Sequence, residues 1–313
     1  SKKSDKNQFL NSAYVPEYRY EGVNLGEAGL YLSDVIIFSL EPADDGNLAG
    51  LDRIEKKKLV KIRNAKANMG FKMLIAIGGG GRSAGFVNVV KSGTRREKLV
   101  SEVVALCEKE GFDGVVIDME VNFAADMGFL PGLRMIAKLI KEKNKKLVVA
   151  MAVHPGQERM FPQNLIKAFD RFHLMAYDYC PEKPCKHSTL EHAEQVVTEA
   201  IKVIPPHKLQ LGIPAYGREM DNPPEAKTYA EICDKWGEFP PDVDESNGFY
   251  FNGRFTVEKK VKFAEQQGLL GVFFWEAGQD LAATHRSSLI RVAGIEADRI
   301  NAERRRNMKG REL

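Results

Sequence analysis

Short apolar runs alternate with stretches of helical spacing along almost the whole chain. Ala13-Tyr14-Val15 opens the series and a turn-rich stretch follows it. Asp34 to Phe38 is β-rich, and residues 51–68 carry Leu51, Ile54, Leu59 and Ile62 at roughly helical intervals. Met73 to Ile77 ends in four glycines, and residues 95–110 predict a helix closed by Gly111. Phe112 to Ile117, a helix over 131–143, and Leu147 to Val153 continue the rhythm, followed by Phe172 to Ala176, Leu209 to Ile213 and Leu270 to Phe274. The runs lack period-two alternation, which suits strands buried on both faces of a parallel sheet. Helices between parallel strands imply right-handed crossovers. About eight such units fit the length, as in a (β/α)₈ TIM barrel, although an open doubly wound sheet alternates in the same way. Two polar stretches interrupt the pattern. Residues 178–189 hold Cys180, Pro181, Pro184 and Cys185, and 217–253, with four prolines and many acids, predict a long decorated loop. Neither is large enough to be a domain of its own.

The 313 residues are 43% hydrophobic and 28% charged, proportions of a globular chain. The net charge of +3 gathers at the ends. Lys2, Lys3 and Lys6 face Asp5, and residues 296–313 hold six Arg or Lys against four acids. The near-neutral body argues against nucleic acid as a partner. The expected organisation is therefore an N-terminal tail over 1–12, one barrel over 13–293, and a basic tail over 294–313. No apolar run of eighteen residues occurs, so no membrane span is expected. The N-terminus lacks the apolar stretch of a signal peptide, which was never there or has been removed.

The candidate chemistry lies at Phe112-Asp113-Gly114-Val115-Val116-Ile117-Asp118-Met119-Glu120. Residues two apart on a strand share a face, so Asp118 and Glu120 point the same way, with Val116 behind them. In a barrel, the C-terminal strand ends carry the chemistry. Two neighbouring acids there repel, which raises the pKa of one and yields a proton donor near neutral pH, as glycoside hydrolysis requires. Alternatively, both acids are exposed loop residues beyond the strand.

This segment resembles the signature of glycoside hydrolase family 18, the chitinase family, whose pattern is Asp-Gly-x-Asp-x-Asp-x-Glu. Asp113, Gly114, Asp118 and Glu120 match, and Val116 replaces an Asp. Ala76-Ile77-Gly78-Gly79 resembles the family's Ser-x-Gly-Gly strand end, with Ala for Ser. Met175-Ala176-Tyr177-Asp178, Gly212 through Arg218, and Gly271 through Trp275 match further motifs in order. The resemblance spans about residues 13 to 290. It implies a retaining hydrolase of β-1,4-linked N-acetylglucosamine, acting on chitin oligosaccharides or related glycans with no cofactor and no metal. In that scheme the substrate's own acetamido group is the nucleophile. It further implies Glu120 as general acid, Asp118 as the group orienting the acetamido N–H, and Tyr177 as donor to the acetamido oxygen. Asp178, Tyr216, Arg218 and Gly79 would contact the sugar over a floor formed by Trp275, and Asp113 would be structural. The partner implied is an N-acetylglucosamine oligosaccharide.

Other readings stand beside these. Tyr177 and Trp275 also fit as core aromatics, and Asp178 with Arg218 as a structural ion pair. The glycines at 78–81 are not followed by Gly-Lys-Ser/Thr, so a phosphate cradle is not expected. Cys180, Cys185 and His187 lack the second pair of a zinc site; a loop disulfide or two free thiols fits better. Cys107 reads as helix core. Val116 removes a like-charge neighbour from Asp118, whose pKa is then expected to lie lower than in the family, with reduced turnover or a shifted pH optimum. It also allows a non-catalytic carbohydrate-binding or scaffold protein on the same barrel. The resemblance suggests a secreted or lumenal site, with an intracellular one as the alternative. The terminal Gly310-Arg311-Glu312-Leu313 only partly matches an ER-retention signal.

Overall fold

The computed structural model describes residues 8–120 and 128–309. The basic residues Lys2, Lys3 and Lys6 and the terminal Gly310–Leu313 lie outside the described residues. Eight parallel strands close into a barrel: β1 (Leu10–Pro16), β2 (Asp34–Pro42), β3 (Lys72–Gly78), β4 (Gly114–Asp118), β5 (Val148–Val153), β6 (Arg171–Leu174), β7 (Leu209–Pro214) and β8 (Gly271–Trp275). Closure is completed by β1, which pairs in parallel with β2 on one side and β8 on the other. Helices follow the strands in turn: α1 (Leu25–Ala28), α2 (Lys56–Met69), α3 (Gly93–Glu110), α4 (Phe129–Lys143), α5 (Gln163–Ala168), α6 (Leu190–Ala200), α7 (Arg254–Gln266) and α8 (Leu289–Lys309).

Strand side chains alternate between two cores. Val115 and Ile117 of β4 face the helices, while Val116 faces the barrel interior with Tyr14, Phe38, Ala76, Ala150 and Phe273. That double burial explains the unbroken apolar runs in the sequence. One end of the interior is polar and tied together: Ser12 and Arg171 both donate to Asp34 Oδ2 (2.8 and 3.0 Å), and Gln210 donates to Ser12 (2.9 Å).

Three sequence expectations change. The helix expected from residue 51 begins at Lys56, behind a short turn of 3₁₀ helix at Leu51–Arg53 in which Leu51 is exposed. The expected loop over 217–253 is an insertion between β7 and α7. It is an antiparallel four-stranded sheet (Tyr216–Glu219, Ala226–Thr228, Glu245–Ser246, Phe249–Tyr250) with a helix at Tyr229–Trp236. A capping box of Thr228 and Glu231 starts that helix, and Pro240 and Pro241 lie beyond its end. The tail boundaries also move outward. Leu10 to Ser12 are already in β1, and α8 buries Ala297, Ile300 and Asn301. Asn301 holds Phe9 through both its amide groups, at 2.7 and 2.9 Å. The last helix therefore packs across the start of the first strand instead of trailing into solvent.

Candidate active site

Asp118 ends β4 beside Gly78 of β3. Both Gly78 and Gly79 have positive φ, and a Cβ at Gly79 would fall 2.2 Å from the Phe38 ring, so only glycine fits there. The Gly79 N–H donates to the Asp118 carbonyl at 2.6 Å. Ser83 staples the same turn: its Oγ lies 3.0 Å from the Gly79 carbonyl and 3.1 Å from that of Asp118, and accepts the Glu120 N–H at 3.1 Å. The turn after β3 thus fixes the main chain on which both acids stand.

A cavity of about 330 Å³ opens at this end of the barrel, and Asp118, Glu120, Tyr177, Asp178 and Trp275 all line it. Trp275 meets Phe38 edge-on at 4.9 Å and Tyr14 at 5.5 Å between ring centroids, which holds the indole as a rigid wall. Tyr18 stands 63% exposed on the rim. A second cavity of about 500 Å³ adjoins it and shares His154, Tyr177 and Asp178.

Two acids at this mouth have different surroundings. Glu120 is exposed, whereas Asp118 is buried, with Oδ1 lacking a hydrogen-bond partner. Burial first, and the Glu120 charge second, push Asp118 up to about 7. Burial and repulsion therefore raise Asp118, the acid that the resemblance makes the orienting group and not the proton donor. Tyr14 and Tyr177 are held well above the usual phenol range by burial, with Asp118 adding to it, so both hydroxyls remain protonated donors.

Asp178 sits in the left-handed region, with φ of 62°. Its Oδ1 accepts from Tyr216 Oη at 2.7 Å and Arg218 Nε at 2.5 Å, with His187 Nδ1 at 3.5 Å. Partial burial pushes its pKa up, but these donors outweigh it and hold the carboxyl well below the usual range. Tyr216 and Arg218 act on the cavity through Asp178. Gly79 acts through the turn, while its neighbour Gly80 lines the cavity. Asp113 lies at the other end of β4, where its Oδ2 accepts the Met73 N–H (2.8 Å) and pairs with Lys66 (2.6 Å). Cys180 and Cys185 form a disulfide, and Cys107 and Cys233 are buried thiols. Among the described residues, no group of His, Cys, Asp or Glu could hold a metal.

Sequence reasoning missed Tyr14, Phe38, Met175 and His154, which also line the cavity, and Ser83 beneath it. Tyr14, Phe38 and Met175 were findable: each sits where an apolar run meets the C-terminal mouth. Ser83 gives no signal, because its role depends on a turn folding back.

The profile of the glycosyl hydrolases family 18 matches residues 10–280. The chain belongs to that family. Among its relatives, an endochitinase of Brugia malayi is 26% identical over 270 residues, covering 67% of this chain and 54% of that one. The family 18 chitinase ChiB from the chitin utilization locus of Flavobacterium johnsoniae superposes with a TM-score of 0.80 at 24% identity, over 93% of this chain and 94% of that one. A chitinase-like agglutinin of Robinia pseudoacacia shares the fold at 19% identity and a TM-score of 0.73, over 91% and 99%. The chain spans 54 to 63% of the length of the first curated relatives it matches.

Proposed function

We propose that this chain is a retaining hydrolase of β-1,4-linked N-acetylglucosamine that works through the substrate's acetamido group. The observation that carries the reading is that Glu120, Asp118, Tyr177 and Trp275 line one cavity at the C-terminal mouth of a family 18 barrel. A pyranose ring would lie on Trp275, with its acetamido arm turned down toward Asp118. Glu120, the exposed acid, protonates the glycosidic oxygen as its bond to the anomeric carbon breaks. The acetamido carbonyl oxygen attacks that carbon from the opposite side, giving an oxazolinium ion. Asp118 accepts the acetamido N–H, and its charge offsets that of the ion. Tyr177, a protonated phenol, donates to the acetamido oxygen. Asp178, held anionic by Tyr216 and Arg218, contacts the sugar hydroxyls. Glu120 then takes a proton from water, which attacks the anomeric carbon and restores the acetamido group with net retention.

Digestion of a ladder of N-acetylglucosamine oligomers, with product anomers followed by NMR, tests the scheme. The β-anomer should appear first, and Glu120→Gln should lower kcat by about 10²- to 10⁴-fold. A first-formed α-anomer, or turnover unaffected by Glu120→Gln, would sink it. Val116 favours a second reading, a sugar-binding protein without turnover, since one fold can carry binding or catalysis and a chitinase-like agglutinin shares this one. Oligomer binding with no turnover in wild type and variant alike would establish that one. The Cys180–Cys185 bridge supports an oxidising, secreted or lumenal setting.

A further inference from the structure

Behind the cavity lies a buried polar cluster that the reaction scheme does not use. His187 is fully buried; its Nδ1 accepts the Asp178 main-chain N–H at 3.4 Å and lies 3.5 Å from the carboxylate Oδ1. Its ring stacks on Tyr216 at 5.2 Å and meets Tyr250 edge-on at 6.1 Å. The Tyr179 N–H closes the loop onto the His187 carbonyl at 3.1 Å, the Cys180–Cys185 disulfide bridges it, and the Cys185 N–H is tied to Met220. One short loop therefore leaves the cavity at Asp178 and returns beneath it at His187.

We propose that His187 is a positioning residue, held by this bridged loop, that fixes the Asp178 carboxylate and the Tyr216 ring for binding of the sugar. The inference rests on the proposed sugar reading of the site. Asp178 needs such support because a left-handed backbone costs a non-glycine residue about 1 kcal/mol, and persists where surrounding contacts over-determine it. His187 supplies one such contact, beside Tyr216 and Arg218. Nδ1 accepts the Asp178 main-chain N–H, which holds the left-handed residue from which the carboxylate reaches Tyr216 and Arg218.

The charges around the ring agree. Asp178 favours an imidazolium, while burial and the cations Arg218 of the insertion and Lys260 of α7 oppose it more strongly, so His187 is held below its usual pKa. Lys260 is itself buried on Ser188 and Asn252, and burial lowers it to about 7. His192 of α6, the remaining titratable neighbour, is pushed down to about 4 by burial and then by Lys260 and His187. His187 thus stays neutral and its Nδ1 remains free to accept the Asp178 N–H.

His187→Phe keeps the ring against Tyr216 and Tyr250 and removes both nitrogens; His187→Asn keeps a short polar group. In a Glu120→Gln background, binding of the N-acetylglucosamine trimer is read from tryptophan fluorescence, with thermal midpoints alongside. His187→Phe should bind about tenfold more weakly at neutral pH. His187→Asn should recover part of that loss. With the catalytic acid intact, KM should rise while kcat changes little, since the contact holds ground state and transition state alike. Parental affinity in both variants overturns the proposal, as does a loss that merely tracks the folded fraction. If wild type binds the trimer without cleaving it, catalysis fails as a reading while His187 still stands or falls on affinity. If the parent does not bind the trimer, both fall.

Discussion

At Asp118, burial and a like charge act in the same direction. A catalytic role as an anion therefore has a definite pH dependence. The group is raised to about 7, so its charged form is lost as pH falls through that value. Wild-type kcat/KM should decline on the acid side with an inflection near 7. Val116 contacts the same interior and has no charge to share. Val116→Asp would place a second carboxyl one strand repeat below, and two such acids titrate as a pair with one apparent value lowered and one raised. The acid limb should then show two inflections in place of one, flanking the wild-type value by about one unit each. A pH-rate profile on a chromogenic chitobioside reads this directly, and identical limbs in both proteins would discard any role for position 116. The pair Asp118 and Glu120 was visible in the sequence because period-two geometry puts both on one face. Their inequality was not, because burial of one and exposure of the other depend on where β4 stops.

Among the elements, β3 and β4 are joined at both ends by different devices. At the cavity end, Ser83 and the Gly79 N–H hold the turn. At the far end, Asp113 accepts the Met73 N–H and pairs with Lys66 of α2, which ties a helix and two strands together. Since Asp113 lies a strand length from the cavity, its loss should affect folding alone. Asp113→Ala leaves the Met73 N–H without its side-chain acceptor and should cost about 1–2 kcal/mol. The thermal midpoint should drop by a few degrees, with kcat and KM per folded molecule unchanged. A change in KM at constant fold would instead make Asp113 part of the site. Strand positions were legible because burial on both faces leaves unbroken apolar runs. The insertion at 217–253 was not: its strands are two to four residues long and mostly polar, so no period could register, and the prolines around it read as loop. The C-terminal basic stretch misled for a related reason. Arg299, Arg305 and Arg306 are exposed on α8 and Arg304 lies over the Phe9 ring, while Ala297, Ile300 and Asn301 make the packed face.

For the whole molecule, the distribution of aromatic surface bears on the form of substrate. The chain has only two tryptophans. Trp275 is in the cavity wall, and Trp236 packs on Phe249 in the insertion at 5.7 Å. Tyr18 at one cavity and Tyr179 at the other are the exposed rings beside the site, and Tyr179 is stacked on His192 at 4.3 Å. Lifting one chain from a crystalline polysaccharide means breaking its contacts with neighbouring chains, and a row of flat aromatic faces along the path would offset that cost by stacking. Among the described residues no such row leads away from the cavities. Two adjoining cavities of about 330 and 500 Å³ instead suit a few sugar units bound at once. If the chain is the hydrolase proposed, initial rates should favour soluble tetramers to hexamers over crystalline chitin powder by at least about tenfold at equal sugar content, since each missing ring contact costs about 1 kcal/mol of binding. Equal rates on both forms, measured as reducing ends released in the first minutes, would mean that the surface beside the cavities grips polymer in some other way.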